Sequence, residues 1–288
     1  MRIRLDIAYD GSHFRGWATQ PGLRTVQGSL EGALERILGG QVRLVVAGRT
    51  DAGVHATGQV AHFDVDDTQA GRLRQRRGNQ GEPADAVTEL GYRVRGILGS
   101  YSDVTVTRAS IAPVGFDARF SAIWRRYRYR ISDYETGYDP LLRHDRTTVK
   151  GVLDLDAMNA AASSLIGLHD FAAYCKPRER ATTVRTLLDF QWERDTEGVV
   201  TAKVRADAFC HSMVRALAGA CVAVGLGRMD VGDAAALRDA RARTSVFPVI
   251  AARGLTLTEV GYPSDELLAV RAEQTRARRR LEEERDEE

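Results

Sequence analysis

The feature that most constrains the fold is a nearly uncharged helical segment at residues 211–224. Apolar and small side chains lie on every side of such a helix, which is typical of a buried rather than an amphipathic helix. Arg215 interrupts it. Because a guanidinium keeps its charge and an isolated buried charge is very costly, Arg215 requires an anion and hydrogen-bond acceptors. The segment therefore predicts a core helix that carries a cation.

The partner of Arg215 is left open by the sequence. Asp51 is one candidate, since a nearby cation favours the ionised form of a carboxylate. Asp207 and Glu259 are structural alternatives, and a side chain that reaches the surface needs no such partner.

Residues 48–56, Gly-Arg-Thr-Asp-Ala-Gly-Val-His-Ala, hold polar side chains between two glycines. They follow an apolar run, residues 42–47, which predicts a buried strand. A loop at the end of a buried strand is a common place for functional side chains, because the scaffold below it is rigid. Asp51 is therefore the candidate catalytic carboxylate. The alternative is a structural turn, since Asp and Gly are ordinary turn residues.

The rest of the chain predicts an α+β fold. Residues 2–9 alternate polar and apolar residues as a half-buried strand does, and residues 25–38 have helical spacing. The second half repeats this plan, so we expect two similar α/β halves of mostly antiparallel sheet with helices on one side. The predicted boundaries are 1–115, 116–263 and a charged tail at 264–288.

The strand predicted around residues 125–131 alternates aromatic and basic residues. Tyr127 and Tyr129 point to one side and the intervening arginines to the other. Aromatic rings beside cations suit the stacking of bases and the binding of phosphates. The alternative is that the aromatic residues are packed core, which we favour for Tyr129.

Residues 67–85 are rich in Gly, Gln and charged residues. We interpret them as a mobile insertion. Their arginines suit a polyanion, although a solvated charged loop is the simpler interpretation. The tail at 264–288, with 9 acidic and 6 basic residues, predicts an exposed helix or disorder.

Composition excludes few classes of protein. The chain has 288 residues, 43% of them hydrophobic, and a formal net charge of +2. It contains no apolar run of the length that a membrane helix needs and no signal-peptide pattern, so we expect a cytoplasmic protein. Its basic residues are arginine apart from three lysines; this bias suits a nucleic-acid partner but is also consistent with codon usage.

The cysteines are Cys175, Cys210 and Cys221. An odd number without metal-ligand spacing argues against a disulfide framework and against a zinc site.

Two other functions are compatible with parts of the sequence. A metal-dependent hydrolase would use residues Asp51, His55, His62 and Asp64. The loop glycines argue against the helical spacing of ligands that this requires. An RNA-binding protein without chemistry would leave Arg215 without an explanation.

Several motifs together resemble one known family, the TruA family of tRNA pseudouridine synthases. The motifs that carry the resemblance are residues 9–11, 14–17, 25–28, 48–56, 120–122, 126–129, 169–171, 213–215 and 254–257. They run through most of the chain in one order. The resemblance implies the pseudouridine synthase fold, with an active-site cleft between two α/β halves.

The resemblance also implies a reaction and roles for particular residues. The reaction is the isomerisation of uridine to pseudouridine at positions 38, 39 and 40 of tRNA, with no metal and no organic cofactor. Asp51 would be the catalytic carboxylate and Arg215 its partner. Arg49 would fill the space left by a flipped base or hold a phosphate, and Tyr127 would stack on that base. The enzyme is expected to be a homodimer in which both subunits contact one tRNA.

Overall fold

The computed structural model describes residues 1–74, 83–178, 182–242 and 245–285. The chain forms two compact units, one from Met1–Ile123 with Val260–Glu288 and one from Trp124–Glu259. In chain order the strands are β1 (Arg2–Tyr9), β2 (Val45–Val46), β3 (His55–Asp64), β4 (Val104–Ile111), β5 (Trp124–Ser132), β6 (Thr147–Thr148), β7 (Gly167–Asp170), β8 (Val184–Arg194), β9 (Val200–Ala206) and β10 (Leu255–Gly261). The helices are α1 (Val26–Leu38), α2 (Asp67–Arg74), α3 (Pro83–Leu98), α4 (Leu155–Ser164), α5 (Met213–Gly225), α6 (Asp233–Ala240) and α7 (Leu268–Arg285).

The first unit is built on an antiparallel sheet in the order β4-β1-β3-β2. Ile3, Leu5 and Ile7 of β1 are buried, as the alternation of the sequence predicts. Helix α3 packs on β4 so closely that a Cβ on Gly91 would lie 3.3 Å from the carbonyl oxygen of Val106. Helix α1 begins where its Thr25 side chain accepts a hydrogen bond from the Gly28 N–H, a preferred N-cap arrangement.

A second layer covers the other face of this sheet, and no sequence pattern predicted it. The Arg4 guanidinium lies 5.4 Å from the centre of the Phe116 ring and 5.3 Å from that of Tyr262. The Ala118 N–H donates to Nδ1 of His62 on β3. Helix α7 adjoins this layer, where Arg276 forms an ion pair with Asp117. The charged tail therefore begins as packed structure.

The second unit contains a sheet in the order β10-β5-β9-β8-β7, with β6 parallel to β5. Its buried face includes Tyr129, Val204 and Phe190, and α4 lies against β8. Beyond the end of β7, Asn159 of α4 pairs with the backbone of β8. The Trp192 N–H donates to Asn159 Oδ1 at 2.8 Å, and Asn159 Nδ2 donates to the Trp192 carbonyl oxygen at 3.0 Å. The observed α+β architecture, mostly antiparallel, agrees with the predicted fold class.

Helix α5 is the buried helix that the sequence predicts. Every residue of it except Arg215 is buried. Two glycines allow close packing: a Cβ on Gly219 would lie 2.1 Å from the Pro248 carbonyl oxygen, and one on Gly225 would lie 2.6 Å from the Met158 side chain.

Two local predictions were wrong. Residues 67–74 form α2, whose Ala70 and Leu73 are buried, so this part of the expected insertion is ordered; residues 75–82 lie outside the described residues. On β8, alternation in phase with the buried Phe190 and Trp192 predicts that Leu188 is buried, but Leu188 is 41% exposed. The pairing with β9 shifts register between Leu187 and Asp189, and this irregularity puts Leu187 inside instead.

The predicted boundary at residue 116 differs from the observed units. The layer around Phe116 and the chain from Val260 both belong to the first unit. Among the described residues, no helix is long and apolar enough to cross a membrane.

Candidate active site

The Asp51 segment connects β2 to β3. Its turn is closed by a hydrogen bond of 3.2 Å from the Val54 N–H to the Asp51 carbonyl oxygen, and Gly53 has a φ of 79°, which glycine adopts without strain. Asp51 is half-buried, whereas Arg49 is exposed. The loop between the two strands thus carries a half-buried carboxylate and, two residues before it, an exposed arginine.

Residues 10–17 brace this loop from one side. The Trp17 N–H donates to the Thr50 carbonyl oxygen at 3.1 Å. Gly16, with a φ of 91°, would bring a Cβ to 3.1 Å from that same oxygen, and a Cβ on Gly11 would lie 2.0 Å from the Val54 carbonyl oxygen. Glycine at these two positions therefore permits a backbone approach that no other residue allows.

A buried polar group holds the loop from inside the unit. Gln59 donates from Nε2 to the Gly48 carbonyl oxygen at 2.9 Å and to Tyr9 Oη at 3.3 Å. Tyr9 Oη lies 2.8 Å from Thr50 Oγ1. Burial raises the pKa of Tyr9 to about 12, so its hydroxyl keeps its proton at neutral pH.

Sequence reasoning missed Gln59 as part of the site, although a signal was present. Gln59 is in phase with Ala61 and Phe63, which both face the core, so a polar residue stood on the apolar face of a predicted strand. The β1–β3 pairing also shifts register between Ile7 and Tyr9. Such bulges are common beside active sites, and Gly58 in the strand was a sequence signal for one.

The residues of the metal-hydrolase alternative have other partners. His55 Nδ1 accepts from the Gly11 N–H at 3.0 Å and also lies 3.0 Å from Asp10 Oδ1. Burial, followed by the nearby charge of Arg2, lowers the pKa of His62 to about 4. Arg2 also binds both carboxylate oxygens of Asp64 at 2.8 and 2.7 Å. Within the described ranges, no group of three or more His, Cys, Asp or Glu side chains has the arrangement of a metal site.

Tyr127 lies on β5 in the second unit. It is 9% exposed, and its ring meets that of Phe209 edge to face at 5.1 Å between centres. The neighbouring aromatic residue differs: Tyr129 is fully buried and its hydroxyl bonds Thr147 Oγ1 at 2.8 Å and the Ala251 carbonyl oxygen at 2.7 Å. Tyr129 is therefore structural, as the sequence favoured.

Arg215 is the half-buried residue of α5. Its Nε donates to the Ile250 carbonyl oxygen at 2.7 Å. The alternative carboxylates have other partners: Glu259 forms an ion pair with Arg126 at 2.5 Å, and Asp207 accepts from the Thr186 N–H at 3.0 Å. Asp51 belongs to the first unit and Arg215 to the second, and their pairing stays a prediction.

The segment that leads into α5 brings two cysteines together that the sequence did not pair. The Cα atoms of Cys175 and Cys210 are 5.8 Å apart, a separation that is compatible with a disulfide. A separation of 35 residues in the sequence gave no sign of this pairing, which depends on two turns meeting. The Lys176 N–H donates to the His211 carbonyl oxygen between the same turns. Cys221 is free and buried.

Comparison with known proteins identifies the family. A family model described as tRNA pseudouridine synthase matches residues 7–93 and 161–263. The chain is 59% identical to tRNA pseudouridine synthase A of Leifsonia xyli subsp. xyli over 97% of this chain and 98% of that protein. It is 52% identical to the protein of that name from Frankia casuarinae, covering 96% of this chain and 95% of the other. It is 47% identical to the one from Mycobacterium leprae, covering 96% and 94%. With a match of this extent, the chain belongs to the tRNA pseudouridine synthase family.

Proposed function

We propose that this protein isomerises uridine to pseudouridine at positions 38, 39 and 40 in the anticodon arm of tRNA, with Asp51 as the catalytic carboxylate and without a cofactor. The observation that carries the proposal is the braced loop, which holds a half-buried carboxylate by backbone contacts to Thr50 and Val54. The matched family region, residues 7–93, contains this loop.

The reaction suits a site of this kind. The N1–C1′ bond of the nucleoside breaks, a C5–C1′ bond forms, and the proton at C5 is replaced by one at N1, so no electrons are gained or lost. A carboxylate can attack or stabilise C1′, or it can remove a proton from the sugar. Both routes need the carboxylate ionised and held in place, and both remain open for Asp51.

The other proposed residues act on the substrate or on Asp51. A base within a stacked arm is out of reach, so the nucleotide must turn out into the site. Arg49, which is exposed and two residues before Asp51, fills the space that the flipped base leaves or binds a phosphate. Tyr127 stacks on the flipped base, supported edgewise by Phe209, and its hydroxyl assists removal of the C5 proton.

Arg215 pairs with Asp51 in this proposal. Its Nε donates to the Ile250 carbonyl oxygen, so the guanidinium is oriented by a chain segment outside the helix on which Arg215 lies. A planar donor fork suits a carboxylate partner better than a lysine does.

We further propose that the protein acts in the cytoplasm as a homodimer whose two subunits both contact one tRNA. The support is the resemblance of its motifs to the TruA family, together with an arginine-rich composition that suits phosphate contacts.

The test is tritium release from tRNA labelled at C5 of uridine, followed by mapping of the modified positions. We expect release by the wild-type chain and pseudouridine at the three proposed positions. Asp51→Asn should release no tritium yet bind tRNA with nearly unchanged affinity, because binding depends mainly on phosphate contacts. Asp64→Asn, which changes a carboxylate at the far end of β3, is the control and should stay active. Turnover by Asp51→Asn would exclude the assignment, whereas tRNA binding by the wild type without tritium release would favour an RNA-binding protein.

A further inference from the structure

We propose that Tyr9, Gln59 and the Thr50 side chain are positioning residues that set the place of the Asp51 carboxylate. The inference rests on the proposed role of Asp51. It assigns a function to a polar group whose three members are all buried.

The hydrogen bonds of Gln59 have a defined direction. Gln59 is fully buried, and its Oε1 accepts from the Val60 N–H at 3.2 Å, which leaves Nε2 as a donor of two hydrogens. These go to the Gly48 carbonyl oxygen and to Tyr9 Oη. Tyr9 Oη accepts from Gln59, and in its 2.8 Å hydrogen bond with Thr50 Oγ1 either hydroxyl can be the donor.

Tyr9 is uncharged at neutral pH. Its pKa is raised to about 12 by burial, so the hydroxyl keeps its proton. The group anchors the chain at Gly48 and at Thr50.

The anchored residue directly precedes Asp51. Thr50 is held twice, by its side chain through Tyr9 at 2.8 Å and by its carbonyl oxygen through the Trp17 N–H at 3.1 Å. These two bonds restrict the orientation of the peptide that leads into Asp51, and the Asp51 carbonyl oxygen is itself held by Val54. A displacement of about 1 Å in a reacting group costs up to about 100-fold in rate.

If Tyr9 had only a structural role, Tyr9→Phe would lower the stability of the protein without lowering the reaction rate. A buried tyrosine whose hydroxyl bonds a threonine also occurs at Tyr129, which bonds Thr147, and burial raises the pKa of Tyr129 to about 12 as well. Tyr129 therefore serves as a matched control, since its hydroxyl has the same chemistry but does not bond the loop.

The experiment compares Tyr9→Phe with Tyr129→Phe in the full-length protein. We measure the single-turnover rate of tritium release, the Kd for tRNA and the Tm. We expect Tyr9→Phe to lower the rate by about 10-fold to 100-fold with Kd within about twofold, because phosphate contacts set the affinity. Tyr129→Phe should lower Tm about as much as Tyr9→Phe does, but it should keep the wild-type rate.

Two substitutions of Thr50 test whether its hydroxyl is the group that matters. Thr50→Val removes the hydroxyl at nearly constant shape and should lower the rate as Tyr9→Phe does, whereas Thr50→Ser retains the acceptor and should restore most of it. The double variant Tyr9→Phe/Thr50→Val should be no slower than the slower single variant, because both changes break the same bond.

Equal rates for Tyr9→Phe and Tyr129→Phe, or equal impairment of Thr50→Ser and Thr50→Val, would overturn the inference. Asp51→Asn separates this failure from that of the proposed function. If Asp51→Asn is inactive while Tyr9→Phe has the wild-type rate, only the positioning role is wrong.

Discussion

The Asp51 loop of the first unit and helix α5 of the second hold their charged residues by different means. Asp51 lies on a connection between two strands. Its turn is closed by Val54, and the preceding Thr50 is held by bonds from Trp17 and Tyr9 in other segments. Arg215 lies on a helix whose other residues are all buried, so its backbone is held by the helix and its packing. The position of Asp51 therefore depends on separate contacts, each of which one substitution can remove. The position of Arg215 changes only when the packing around α5 changes.

This difference predicts where activity and stability separate. A change that disturbs a brace should lower the reaction rate more than it lowers the free energy of unfolding. A change of the same size against α5 should do the reverse. Two glycines offer the same substitution with nearly the same clash in each region.

Gly11→Ala should have the largest effect. Its Cβ would lie 2.0 Å from the Val54 carbonyl oxygen, so the end of the Asp51 loop must shift by an amount of order 1 Å, which costs up to about 100-fold in turnover. Overpacking should also cost about 1–3 kcal/mol in the free energy of unfolding. Both are measured on the purified protein, by tritium release and by urea unfolding.

The control for Gly11 is Gly32 in α1, where an added Cβ meets nothing within 4 Å. Gly32→Ala should keep the wild-type turnover and gain up to about 1 kcal/mol of stability, because alanine favours a helix. Wild-type turnover in Gly11→Ala would show that the loop is not held through this contact.

Gly219→Ala should affect stability first. Its Cβ would lie 2.1 Å from the Pro248 carbonyl oxygen, and overpacking against α5 should cost about 1–3 kcal/mol in the free energy of unfolding. Turnover per folded molecule should fall by less than in Gly11→Ala, since the helix carries Arg215 as a rigid element. A loss of turnover as large as that of Gly11→Ala without a loss of stability would reverse the comparison.

The smallest effect is expected from pH. His62 of the first unit faces Arg2, Asp64, Asp117 and Arg276, and its pKa is lowered to about 4, chiefly by burial. The unfolded chain binds a proton near pH 6.5 and the folded chain does not, so stability falls as pH decreases from about 6.5 to 4, by about 2 kcal/mol at pH 5. Urea unfolding at pH 7.5 and pH 5 measures this.

The matched variants are His62→Gln and His13→Gln. Glutamine at 62 can still accept from the Ala118 N–H but does not titrate, so most of the pH dependence should disappear. His13 is exposed, and His13→Gln should retain it. In the second unit, burial acts to raise the pKa of the Asp133 carboxyl, but hydrogen bonds from Arg194 and from backbone N–H groups outweigh it and hold this pKa below its usual range. That stability is present above about pH 4 and is lost only below it. When the pH is lowered to 5, amide hydrogen exchange should therefore become faster in the first unit and change less in the second. Equal increases in both units would contradict the assignment to His62.

Part of the fold and of the site followed from local patterns. The alternation of residues 2–9 predicted β1, the spacing after Thr25 predicted α1, and the apolar segment at 211–224 predicted α5. The opposite faces of Tyr127 and Arg126 on β5 were also predicted correctly. In each case a period of two or of 3.6 residues specifies which side is buried, and this needs no knowledge of the neighbouring element.

Errors arose where one element meets another. The register shift in β8 exposes Leu188, α2 occupies part of the expected insertion, and Cys175 meets Cys210. None of these has a local period, because each depends on a contact between distant segments.

The sequence by itself determined the family, the α+β class and the candidate residues Asp51, Arg49, Tyr127 and Arg215, since motifs and periodicity are properties of short segments. Only the tertiary structure showed that Gly11, Trp17, Tyr9 and Gln59 converge on the loop that carries Asp51. The physical reason is that backbone carbonyl groups are the same at every position of a sequence. Which donor reaches them is decided by how the strands pair, and the pairing of β1 with β3 joins residues as distant in the sequence as Arg2 and Asp64.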